Sequence, residues 1–101
     1  MLLESKITVN GTTYQYKVSI STYRKEWQGN GDPATIPCRP CHEHNARIEI
    51  QDEKGEFPPR IVNCRVFFYL DKNGNPNHRS YRYTYAGIVE ARLQNFIKKI
   101  L

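Results

Sequence analysis

The side chains best suited to chemistry stand close together. Cys38-Arg39-Pro40-Cys41-His42-Glu43-His44 places two thiols and two imidazoles within seven residues. Two residues between cysteines allow both sulfurs to face one tetrahedral ion, as in a zinc knuckle. The candidate metal site is a structural zinc drawn from Cys38, Cys41, His42 and His44, with Cys64 or His78 returning from the sheet as candidates to complete it. This is half of a zinc signature, because the second pair that makes such spacing specific is missing. Free thiols in a loop beside solvated histidines fit the same residues, and Cys64, on an apolar strand face, reads better as a small buried hydrophobe.

Other chemistries of this segment fit less well. Cys38, Cys41 and His42 satisfy the CxxCH pattern of covalent haem attachment, but that chemistry belongs outside a reducing cytosol. A thioredoxin-type CxxC sits at a helix N-terminus, whereas no helical pattern follows Cys41. A Cys/His nucleophile needs an orienting third group and an oxyanion site, and nothing in the sequence supplies them. A glycine-rich phosphate loop and a serine elbow are also missing, so a binding module is expected rather than an enzyme.

A second group of residues suggests a binding surface. Arg65, Phe67 and Tyr69 alternate on one face of a strand, and the strand after it adds Arg79, Arg82 and three tyrosines. Arginines meet phosphates while flat rings stack on bases, so the pattern suits single-stranded nucleic acid. Tyrosine is also a good strand former, and cross-strand aromatic pairs stabilise a sheet without any ligand. Trp27, the only tryptophan, either plugs the edge of the core or anchors a protein partner. The expected partner is thus nucleic acid or an acidic protein surface, the alternative function being a protein-binding regulator or inhibitor that uses the Trp27 to Asn45 loop.

Charge agrees with either partner. Lys and Arg total 15 against 10 Asp and Glu, a net charge of +5. The bases are scattered, so any basic patch must be assembled by folding. An acid and a base at Glu4 and Lys6 interrupt the N-terminus before a signal-length apolar run can form, and no apolar stretch has the length of a membrane span. Three cysteines is too few for a disulfide scaffold, so a reducing, cytoplasmic or otherwise intracellular setting without a membrane partner is expected.

These residues must be held by a scaffold that the periodicity predicts as α+β. Ile7-Thr8-Val9, the turn Asn10-Gly11 and Thr12 to Ser21 form a hairpin, because Asn-Gly supplies the positive φ angles of a type I′ turn. Ala46, Ile48 and Ile50 alternate with polar residues in a third strand. Even positions from Val62 to Leu70 are all apolar, a fourth strand, and Tyr81, Tyr83 and Tyr85 alternate in a fifth. Val89, Leu93, Phe96, Ile97 and Ile100 make one stripe on a helix. The prediction is one domain over residues 1–101, an antiparallel meander of about five strands with the C-terminal amphipathic helix packed on one face. A loop over residues 24–45 separates the second and third strands. At 22 residues it is long enough that a ligand or a tether is expected to pin it.

Overall fold

The computed structural model describes residues 2–22, 24–29, 37–85, 88–90 and 92–101. In chain order the elements are β1 (Leu2–Val9), β2 (Thr12–Ile20), β3 (Lys25–Trp27), β4 (Cys41–Asp52), β5 (Arg60–Leu70), β6 (Pro76–Tyr85), β7 (Ile88–Glu90) and α1 (Leu93–Ile100). All the strands pair antiparallel in one sheet with the order β1-β2-β4-β5-β6-β7, and β3 lies beside β4 beyond the end of β2. The sheet curls as a half-barrel, and the helix among the described residues is the short C-terminal α1. The α+β class and the meander are as expected, whereas the strands exceed five.

Local chemistry explains the turns. Asn10 and Gly11 take φ of 50° and 81°, the left-handed pair that joins β1 to β2. Asp71 closes the β5–β6 turn by accepting hydrogen bonds from the backbone N–H groups of Asn73 and Asn75 at 2.9 and 3.0 Å.

The apolar face carries the main core. Val18, Ile48, Val66, Phe96 and Ile97 are wholly buried there, together with Tyr16, Ile50, Val62, Phe68 and Tyr83. Leu93, Phe96, Ile97 and Ile100 are the helix residues that reach it. Phe96 stacks on Tyr83 with ring centroids 5.8 Å apart, and Tyr85 meets it edge-on at 6.2 Å. Lys98 and Lys99 stand in the last turn, where cations suit the carbonyl end of the helix.

Three expectations are corrected. The loop over 24–45 is strand at both its ends, where β3 and the start of β4 lie. β2 pairs as far as Ile20↔Ala46, and pairing resumes at Lys25↔Glu43, so the register slips by two residues between them. A slip at that point, with polar residues at His42, Glu43 and His44, hid the strand from an apolar-alternation reading. Residues 30–36 of the same segment lie outside the described residues. The helix begins at Leu93 and not at Val89, which pairs with Thr84 in the short edge strand β7. Finally, the tyrosines of β6 do not share a face with Arg82. Tyr81 and Tyr83 pack against the core, while Arg82 opposes Phe67 on the other side.

Candidate functional site

Strand alternation decides the fate of the Cys/His segment. Successive side chains of β4 point to opposite faces, so Cys41 and Glu43 go one way and His42 and His44 the other. Cys41 is fully buried in a small cluster with Phe67 and Tyr69, against which Trp27 and Cys38 pack. All three cysteines are free thiols. Burial pushes the Cys41 thiol up to about 11, with the Glu43 carboxylate adding to the effect. Cys64, buried on the core face, is pushed up to about 12 by burial.

The histidines are used by the fold. His42 Nε2 lies 3.7 Å from Glu26 Oε1, and its Nδ1 is buried without a hydrogen-bond partner among the described residues. Burial and then the nearby Arg24 hold its pKa below the usual histidine value, so the ring is neutral at pH 7. His44 Nδ1 is 2.9 Å from the carbonyl oxygen of Ser21, and its ring meets Phe68 edge-on at 5.7 Å. His78 meets the same Phe68 at 4.9 Å. The structure thus unites Cys38 with Cys41 and separates both from His42 and His44. Among the described residues no three His, Cys, Asp or Glu side chains are grouped to hold a metal.

The aromatic surface expected for base stacking is also internal. Phe67 is 1% exposed and Tyr69 6%, because Cys41, Trp27 and Cys38 pack with them. That corrects their reading as an accessible platform. Trp27 is half-buried and donates its indole N–H to Glu43 Oε1 at 3.0 Å, the behaviour of an edge plug. Glu43 Oε1 also lies 3.6 Å from Arg65 Nη1, so one buried carboxylate ties the plug to an exposed arginine.

Folding does assemble the basic patch that the scattered sequence charges left open. Arg39, Arg79, Arg82 and Arg92 surround a hollow of about 240 Å³ with Tyr69, Ser80 and Tyr81. Arg39 is fixed in two ways. Its Nη2 donates to Ser80 Oγ at 2.6 Å, and its guanidinium lies 3.9 Å over the Tyr69 ring. Burial raises the Tyr69 hydroxyl above its usual pKa, while the Arg82 and Arg39 guanidiniums pull it down. Among the described residues, none of these four arginines makes an ion pair. The acids pair with other bases: Lys6, Arg24, His42, Arg47, Arg65 and Lys99.

A larger hollow, about 780 Å³, lies on the same face of the sheet as Arg82. One row of its side chains is Ser19, Arg47 and Asn63, paired across β2, β4 and β5. The next is Asn45, Arg65 and Thr84, paired across β4, β5 and β6. Arg65 belongs to this hollow and Arg82 to the smaller one. Arg82 and Thr84 share a face two residues apart, a step of roughly 7 Å along β6.

Comparison with protein-family models, curated proteins and solved structures gives no match for this chain. Of the residues singled out from sequence, Arg65 lines the larger hollow and Arg79, Arg82 and Tyr69 the smaller, while Trp27 and Phe67 line neither. Arg39, Arg92, Asn45 and Asn63 were missed. Arg39 meets Ser80 across 41 positions, a juxtaposition no local pattern announces. The one available signal was that Arg39 sits inside the segment expected to be pinned.

Proposed function

We propose that the chain is a binding module for single-stranded nucleic acid, held by its phosphates at the arginine hollow. The observation that carries this reading is the convergence of Arg39, Arg79, Arg82 and Arg92 on one small depression with no acid paired to any of them among the described residues. Four like charges gathered together repel one another, and an anion bound between them relieves that cost. Guanidinium forks match phosphate oxygens in a bidentate way. The hydrogen bond to Ser80 and the contact with Tyr69 hold Arg39 in place before any ligand arrives, which lowers the ordering cost of binding.

A single strand suits this surface better than a duplex. Among the described residues the face is a sheet without a projecting helix or ribbon to enter a major groove, and an unpaired strand can lay its backbone across such a surface. The test is fluorescence anisotropy with a labelled single-stranded oligonucleotide at low salt. Arg82→Ala is expected to weaken binding roughly tenfold, the loss of one charge-assisted hydrogen bond, while Arg82→Lys recovers part of it. Unchanged affinity in Arg82→Ala contradicts the reading. If instead the oligonucleotide leaves the protein untouched and an acidic protein binds it, the alternative partner class takes its place.

A further inference from the structure

The two hollows differ in charge although both contain arginines, and the difference assigns them different ligands. In the larger hollow Arg65 is paired with Glu43 at 3.6 Å and Arg47 with Glu49 at 3.3 Å. Their charges are already balanced, so the site, whose lining is more apolar than polar, has no surplus to attract a phosphate. Between them stand Asn45 and Asn63, exposed and on neighbouring strands. Neither side-chain amide hydrogen-bonds within the described residues, although the Asn45 backbone bonds Ser21. An amide offers one donor and one acceptor side by side, the pattern that matches the edge of a nucleobase. Guanidinium planes such as those of Arg47 and Arg65 can stack on a base. The volume is also in the range of small-molecule sites.

We infer that the larger hollow receives an unstacked base of the bound strand, with Asn45 and Asn63 hydrogen-bonding its edge and the paired arginines flanking its ring. The inference rests on the single-strand reading above and deepens it: the arginine hollow supplies affinity, and this one supplies base preference. Their arrangement suits that division. Thr84 in the larger hollow and Arg82 in the smaller are two residues apart on one strand face, roughly 7 Å, so a base in one remains connected to a phosphate in the other. With Phe67 and Tyr69 buried, the pair of rings expected to recognise a base is not available to it. The amides take that role.

The experiment compares labelled dA, dC and dT homo-oligomers of equal length by anisotropy, using the full chain and its Asn45→Ala and Asn63→Ala variants. Both positions are exposed, so the variants keep the fold, which circular dichroism checks. The wild type is expected to spread the three affinities at least fivefold. Each variant is expected to compress that spread toward twofold without changing the salt dependence of binding. Equal affinities in the wild type, or an undiminished spread in both variants, overturn the base site while leaving the phosphate site standing. Absence of binding to any oligomer at low salt removes the single-strand reading and this inference with it.

Discussion

Single side chains already carry consequences that stability measurements can check. The Cys41 and Cys64 thiols are buried, with values near 11 and 12. The unfolded chain releases such protons near pH 9, so the folded state binds more protons than the unfolded one above that point. Stability is therefore complete below about pH 9 and declines as pH rises toward the folded values. Urea midpoints taken from pH 8 to 11 are expected to fall, and Cys41→Ala is expected to flatten part of that fall. A second residue of interest is Glu43, the acceptor for the Trp27 indole and the partner of Arg65. Glu43→Ala leaves the half-buried indole N–H unpaired and is expected to cost ~1–3 kcal/mol in denaturant titrations. Glu43→Gln, which keeps an acceptor for Trp27, loses less.

Elements set how these residues are presented. Phe96 is the helix residue that stacks on Tyr83, so Phe96→Ala is expected to cost ~3–5 kcal/mol, whereas the exposed Lys98→Ala changes the urea midpoint little. The position of Arg39 depends on its close backbone approach to Gly29, whose φ is 71°. A Cβ added there lies 2.4 Å from the backbone of Arg39. Gly29→Ala is thus expected to displace Arg39 and lower oligonucleotide affinity, with Arg39→Ala as the reference for its size. The sequence made much of this scaffold legible. Asn10-Gly11 marked the first hairpin, and Val62, Cys64, Val66 and Phe68 marked the core face of β5, because one buried face imposes a period of two. It hid β3 and the start of β4, where the inward residues are His42 and His44 and the register slips. It also misplaced Val89, since a spacing of four to Leu93 suits a helix and an edge strand followed by a helix equally well.

At the scale of the whole molecule, the candidate site was only half legible. Arg65, Arg79 and Arg82 could be read as surface cations from strand alternation, but their division between two hollows depends on partners far along the chain. Glu43 neutralises Arg65, and Arg39 and Arg92 join Arg79 and Arg82. A charge of +5 spread over the sequence becomes a local field only after the sheet has formed. The central claim is that four arginines, none paired with an acid among the described residues, act together on phosphates. It is tested most directly by the slope of log affinity against log salt for a single-stranded oligonucleotide. Four phosphate contacts predict a slope of about −3, a loss of roughly fiftyfold between 50 and 200 mM salt, and the Arg39→Ala/Arg82→Ala double variant should halve the slope. A flat line for the wild type, or a steep one that the double variant leaves unaltered, contradicts the account.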